Sequence, residues 1–282
     1  MQNLSDISVI RSVLEKHGFN FSKALGQNFL INPSVCPRMA ENSLADKNTG
    51  VIEIGAGIGV LTAELAKIAK KVVCVELDTR LLPILDETLA DFDNIEIVNA
   101  DVMKTDLKAL IEEKFQGMDV VVCANLPYYI TSPVITMLLE SRLPIKAVTV
   151  MIQKEAADRL CTPVGSRDSG AITVCTNYYA QVKQRFNVSR GSFMPAPNVD
   201  STVIRLDIRE YPAVTVSDEK KFFKMVKAAF AQRRKTALNS ISSGMGLSKT
   251  QVAEALRASG LDENVRAEKL TMDELALLCE NL

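Results

Sequence analysis

The chain has 282 residues, 47% of them hydrophobic, and its charges nearly cancel, with 33 Lys+Arg against 34 Asp+Glu. That balance excludes a disordered, collagenous or coiled-coil chain, and the length suits two domains. With a net charge of −1, any affinity for nucleic acid has to come from a local patch. The six cysteines, at 36, 74, 123, 161, 175 and 279, never form a C-x-x-C pair. Cys74 and Cys123 lie inside apolar runs, which predicts buried free thiols in a reducing compartment rather than disulfides or zinc. No basic region followed by an apolar stretch opens the chain, and no apolar run approaches the ~18–20 residues of a membrane span. A soluble cytoplasmic protein with no membrane partner and no metal is expected.

In chain order, the spacing of Ile7, Ile10, Val13 and Leu14 predicts a helix from Ser5 to about Gly18. A loop, KALGQNFLINP, follows, and Pro33 seeds a second short helix. From Val51 the pattern alternates. Strands are predicted at Val51–Ile54, Val72–Val75, Ile95–Val98, Val120–Cys123 and Ala147–Ile152. The amphipathic stretches between them are Leu61–Ala69, Arg80–Leu89, Leu107–Phe115 and Pro133–Leu139. Strands apolar on both faces belong to a parallel sheet covered by helices, so the fold class is a doubly wound, Rossmann-like α/β domain. Further strands are predicted at Ala171–Tyr179 and Val203–Ile208, and a boundary near Arg209–Val216. Beyond it only helices are predicted, at Asp218–Gln232, Lys235–Ser240, Lys249–Ala258 and Asp273–Leu282. The expected domains are 1–210, with 1–50 as a helical extension, and a small all-α domain at 211–282.

The first strand runs into EIGAGIGVLT, where glycines at 55, 57 and 59 permit a tight turn and a close ligand approach at a helix N-terminus. Glu76, in VELD at the end of the second strand, stands ~20 residues on, where an acid can accept both ribose hydroxyls. Asp101, in NADVM after the third strand, can accept from an adenine amine while the Val102 backbone bonds the ring. G-x-G-x-G differs from the dinucleotide pattern G-x-G-x-x-G and suits S-adenosylmethionine, which carries no phosphate.

After the fourth strand comes ANLPYYITSP. An adenine N6 amine is a poor nucleophile because its lone pair is delocalised into the ring. The Asn125 side-chain oxygen and a backbone carbonyl beside Pro127 can accept its two hydrogens and aim the lone pair at a sulfonium methyl. Proline stiffens the turn, and Tyr128 supplies a face for an extruded base.

These motifs, in this order, resemble one family. GQNFL (Gly26–Leu30), EIGAGIG, VELD, NADV and NLPY, then QKEAADRL (Gln153–Leu160) and F-x-P-x-P-x-V-x-S (Phe193–Ser201), look like those of the small-subunit ribosomal RNA adenine dimethyltransferases. The resemblance runs from about Lys23 to Leu278 and implies a class I methyltransferase domain using S-adenosylmethionine. It further implies that Gln27, Asn28 and Leu30 close over the cofactor's methionine end and that Gly55 and Gly57 line it. Glu76, beside Leu77, would hold the ribose, and Asp101 with Val102 the adenine. Asn125, Leu126, Pro127 and Tyr128 would carry catalysis, Asn125 facing cofactor and target alike, with Phe193 stacking on the target adenine opposite Tyr128. The family transfers four methyl groups, two to each of two adjacent adenines in the 3′-terminal hairpin loop, late in small-subunit assembly. The implied partner is an immature small ribosomal subunit, met by a monomer.

Two positions depart from the family pattern: Ala56 replaces a frequent proline, and Ser169 stands where an aromatic is expected. Tyr129 receives no role. Lys220, Lys221, Lys224, Lys227, Arg233, Arg234 and Lys235 form a stretch without an acid and are read as RNA-binding. His17, the only histidine, is read as structural. Alternatives remain: a resistance-type dimethylase of large-subunit RNA, a non-catalytic assembly factor, or a nicotinamide-dependent oxidoreductase.

Overall fold

The computed structural model describes residues 4–22 and 26–282, so Lys23–Leu25, the start of the expected loop, lie outside the described residues. The strands are β1 (Phe29–Leu30), β2 (Thr49–Ile54), β3 (Lys71–Glu76), β4 (Ile95–Asn99), β5 (Asp119–Asn125), β6 (Ala147–Gln153), β7 (Ala180–Val188), β8 (Phe193–Met194) and β9 (Ser201–Ile208). The helices are α1 (Ile7–Lys16), α2 (Val35–Asn42), α3 (Val60–Ile68), α4 (Leu82–Thr88), α5 (Leu107–Lys114), α6 (Thr131–Glu140), α7 (Lys154–Cys161), α8 (Ala171–Tyr179), α9 (Glu219–Phe230), α10 (Ala237–Met245), α11 (Lys249–Ala258) and α12 (Met272–Asn281). Contacts divide them into two compact units. One is the chain through Ala157 with Lys183–Ile208, the other Asp158–Val182 with Arg209–Leu282.

The first unit is built on a seven-stranded sheet of order β4-β3-β2-β5-β6-β9-β7. β2 pairs in parallel with both β3 and β5, and β9 joins antiparallel to β6. Strand order therefore reverses at β2, and the carboxyl ends of β2 and β5 flank the crevice where ligands of such sheets bind. β2 and the middle of β5 are buried at successive positions and so on both faces, the pattern of a parallel sheet covered on each side. Cys74 and Cys123 are buried free thiols, as their apolar neighbours predict, and Cys36 is buried as well. The short pair β1–β8 sets Leu30 opposite Phe193 and Phe29 opposite Met194, which brings two distant motifs together. His17 ends α1 and bonds the Glu87 carboxylate at 2.8 Å.

The second unit is helical, and it corrects one expectation. Ala171–Tyr179 is helix α8, not a strand. Its β-branched run reads as β, but Gly170 starts a capped turn with Thr173, and the Thr176 hydroxyl bonds back to the Ile172 carbonyl at 2.9 Å. Packing then overrides propensity. Tyr178 lies 5.5 Å from the Phe222 ring and 5.1 Å from Phe223, and both tyrosine hydroxyls donate to Glu219. Ser169, where an aromatic was expected, is buried and donates to the Ser166 and Glu268 carbonyls at 2.8 and 3.2 Å. It serves as a polar tie within this unit. The starts of α11 and α12 carry capping boxes, Ser248 with Gln251 and Thr271 with Glu274.

Candidate active site

A cleft enclosing about 910 Å³, open solvent included, lies over the carboxyl ends of β2, β3 and β5. Glu76 ends β3 nearly buried. Its two carboxylate oxygens accept from the Gly57 N–H at 3.2 Å and the Asp78 N–H at 2.8 Å. Burial is the main cause that raises its carboxyl above the ordinary range, against the lowering by these two bonds. Gly57 has φ +59, a left-handed backbone that L side chains rarely adopt, and a Cβ there would just touch the Phe29 ring at 3.4 Å. Gly59 serves packing instead, since a Cβ would reach Leu89 at 2.9 Å. Asp101 lines the cleft with one oxygen accepting from the Met103 N–H at 3.0 Å and the other 3.6 Å from Lys104. Val102 and Leu77 line it as well.

The segment before β1 is held to this wall by Asp78, a residue the sequence reading passed over although it closes VELD. Gln27 donates to Asp78 at 2.7 Å and accepts from the Ser22 N–H at 2.9 Å. Arg80 grips the same carboxylate through two nitrogens, at 2.6 and 2.8 Å, and lies 4.9 Å over the Phe19 ring. The arginine bonds, chiefly, hold the Asp78 carboxyl below its usual range. Gln27 and Asn28 line the cleft. Leu30 does not line it; it is buried beneath in the core, one residue past the lining Phe29.

At the other end, Asn125 closes β5 and faces the cleft, and its side-chain amide makes no hydrogen bond to another described residue. The sequence leaves open which carbonyl beside Pro127 is available; the structure distinguishes them. The Pro127 carbonyl accepts from the Ile130 N–H at 3.2 Å and the Thr131 hydroxyl at 3.3 Å. Among the described residues none donates to the Leu126 carbonyl, which leaves that oxygen and the Asn125 amide as the open acceptors of the motif. Tyr128 is half-buried with its hydroxyl 2.8 Å from Ser201, the last residue of F-x-P-x-P-x-V-x-S. Desolvation raises its phenol above the usual range. Phe193 lines the same cleft, largely buried.

Directly behind the glycine loop sits a further acid. Glu53 is 1% exposed and accepts from the Cys74 thiol at 3.2 Å. Burial pushes its carboxyl up to about 7. It does not line the cleft. The predicted RNA-binding residues lie in the helical unit, on α9 and the turn after it. Lys220, Lys224 and Lys227 are exposed along one side of α9, and Arg233, Arg234 and Lys235 are exposed beyond it. Lys221 is half-buried and close enough to Glu280 to help lower that carboxyl. No group of side chains among the described residues could hold a metal, and no helix is long and apolar enough to cross a membrane.

The family model for ribosomal RNA adenine dimethylase matches residues 18–282, nearly the whole chain. The chain belongs to the ribosomal RNA adenine dimethylase family. Among its relatives is the ribosomal RNA small subunit methyltransferase A of Bacillus licheniformis, 46% identical over 96% of this chain and 94% of the relative. The protein of that name from Anoxybacillus flavithermus is 48% identical over the same shares. Two solved structures agree. A dimethyladenosine transferase from Plasmodium falciparum matches with a TM-score of 0.74 and 26% identity, covering 89% of this chain and 95% of that one. The 23S rRNA methyltransferase ErmE matches with 0.69 and 28%, covering 90% and 99%. As an rRNA adenine dimethylase, the chain is an S-adenosylmethionine-dependent rRNA methyltransferase of the class I fold. The cleft fits that cofactor. Acids stand at the ends of the neighbouring strands β3 and β4, apolar Ile54, Val75 and Val102 share the cleft with them, and the left-handed turn at Gly57 brings bare backbone to its wall.

Proposed function

We propose that this enzyme dimethylates N6 of two adjacent adenines in the 3′-terminal hairpin loop of small-subunit ribosomal RNA, as a cytoplasmic monomer acting on immature small subunits late in assembly. The observation that carries the reading is the pair of open acceptors at one end of the cleft, the Asn125 amide and the Leu126 carbonyl, beside Tyr128. The names of the relatives at 46–48% identity support the small subunit.

Bound S-adenosylmethionine supplies an electrophilic methyl group on a sulfonium; the rest of the chemistry falls to the chain. Glu76 accepts from the ribose hydroxyls and Asp101, with the Val102 backbone, from the adenine, while Gln27, Asn28, Gly55 and Gly57 enclose the other end. Asn125 Oδ1 and the Leu126 carbonyl accept the two N6 hydrogens of the target and turn its lone pair out of conjugation. Tyr128 and Phe193 hold the extruded ring by its faces. Acceleration then comes from orientation and aligned dipoles. No strong base is needed, because the nitrogen becomes acidic on gaining its new bond and gives up a proton through these same N–H contacts to water. The helical unit, with its basic α9 face, grips the RNA backbone.

The test is transfer of labelled methyl groups to separated immature small and large subunits, followed by nucleoside analysis. Dimethyladenosine in small-subunit RNA is expected. Label confined to large-subunit RNA would support the ErmE-like alternative, and label in neither would leave the chain an assembly factor.

A further inference from the structure

Two lining residues of the cleft are exposed, and they mark its two ends. Leu77, 50% exposed, follows Glu76 at the cofactor end, and Tyr129, 56% exposed, follows Tyr128 at the target end. The residues Tyr128–Ile130 form a 3₁₀ turn, in which consecutive side chains diverge by about 120°. Tyr128 goes inward and is tied to Ser201. Tyr129 is sent outward, and the edge of its ring lies 3.5 Å from where a Cβ on Gly26 would stand. The turn is stiff, since Pro127 precedes it and the Pro127 carbonyl is doubly occupied. A rigidly presented, solvent-facing aromatic at the lip of a cleft is an uncovered apolar surface of the kind that a planar ligand face removes from water.

We propose that Tyr129 is a positioning residue for the RNA, a platform on which the nucleobase next to the target adenine stacks. The assignment rests on the adenine reading above and deepens it. An adenine whose N6 reaches Asn125 has left its stack, and its neighbour in the strand is left with one bare face. Unpaired bases of RNA are recognised chiefly by stacking on aromatic rings. Tyr129 is the residue next to the one that holds the target, so its ring meets the adjacent nucleotide. The competing structural role is that Tyr129 only braces Gly26 and the segment that closes the cofactor end.

The full-length chain and its Tyr129→Ala, Tyr129→Phe and Tyr129→Trp variants separate the two roles. Tyr129→Ala should raise the KM for the ribosomal substrate by roughly 5- to 100-fold, the loss of one base–aromatic stack, with the dissociation constant for S-adenosylmethionine unchanged. Phe and Trp should restore the RNA KM. A hairpin RNA with 2-aminopurine beside the candidate adenine reads stacking without turnover, and its fluorescence should be quenched more by the parent than by Tyr129→Ala. Equal quenching, an unchanged RNA KM, a parallel weakening of cofactor binding, or a Tyr129→Phe variant as poor as Tyr129→Ala would each overturn the assignment. Failure of the adenine reading looks different: the parent chain methylates neither subunit, while the quenching difference still reports on Tyr129.

Discussion

The two units treat charge in opposite ways. In the sheet-bearing unit the acids that matter are drawn in: Glu53, Glu76 and Asp78 are all buried at or behind the ends of β2 and β3, where each must be satisfied by backbone or side-chain donors. In the helical unit the notable charges are pushed out, with Lys220, Lys224 and Lys227 exposed along one side of α9 while Phe222, Phe223 and Val226 fill the other. The difference follows from the ligand each can serve. A small cofactor is held by few, oriented bonds in a place of low dielectric. A polyanion is held by solvated charges that displace its condensed counterions, and such charges stay at the surface.

Asn125→Ala strikes the cleft hardest. Loss of one of two aligned acceptors should lower the single-turnover rate of methyl transfer by about 10²–10³-fold, with cofactor binding by calorimetry retained; full activity would remove Asn125 from the chemistry. Glu53 tests whether the buried acids of this unit are a burden on folding. Its folded carboxyl is raised to about 7 by burial, above the unfolded value of about 4.3. Between those values the folded chain binds more protons than the unfolded one, so stability falls as pH rises through that window and the penalty is complete above it. Glu53→Gln keeps a carbonyl to accept from the Cys74 thiol and removes the charge. It should gain on the order of 3–4 kcal/mol at pH 8 and almost nothing at pH 4 in urea unfolding. An equal gain at both values would assign the effect to packing.

The same contrast explains what was legible in the sequence. The core strands and the members of the cleft could be read because their residues are bound to local geometry. A β-branched run ending in Glu76 or Asn125 sets an acceptor at a sheet edge whatever the rest of the chain does. Helix α8 departs from expectation because AITVCTNYY prefers strand by composition, and besides the cap between Gly170 and Thr173 it is packing against Phe222 and Phe223, over 40 residues on, that makes it a helix. Its grouping with the helical unit, together with the rest of Asp158–Val182, has no local sign at all. The Gln27–Asp78–Arg80 clamp was missed for a related reason: VELD signals its glutamate, while its aspartate gains meaning only from a segment 51 residues earlier.

In the helical unit the close approach of α9 and α10 gives the next test. A Cβ at Gly244 would lie 2.5 Å from the Ala228 Cβ, so Gly244→Ala must push the helices apart. We expect a loss of about 1–3 kcal/mol by overpacking, with the affinity for S-adenosylmethionine untouched, by urea unfolding and calorimetry. Weakened cofactor binding would show that the effect is not confined to the packing of α9 and α10.

The smallest effect is also the most diagnostic. Lys220→Gln, Lys224→Gln and Lys227→Gln together remove three positive charges from one side of α9 and leave its buried face intact. If each lysine meets a phosphate, the slope of log affinity against log salt should shrink by about two to three, at about 0.7–0.9 per phosphate, with about tenfold weaker RNA binding at physiological salt. Lys221→Gln is the internal comparison. It removes the same charge from the same helix, but Lys221 is half-buried near Glu280 and faces its own unit. Its slope should stay that of the parent chain. If Lys221→Gln flattens the salt dependence as much per charge as the triple variant does, the helix acts through its total charge. If only the triple variant does so, what binds is the array at positions i, i+4 and i+7, a stripe with the spacing to follow a phosphate backbone.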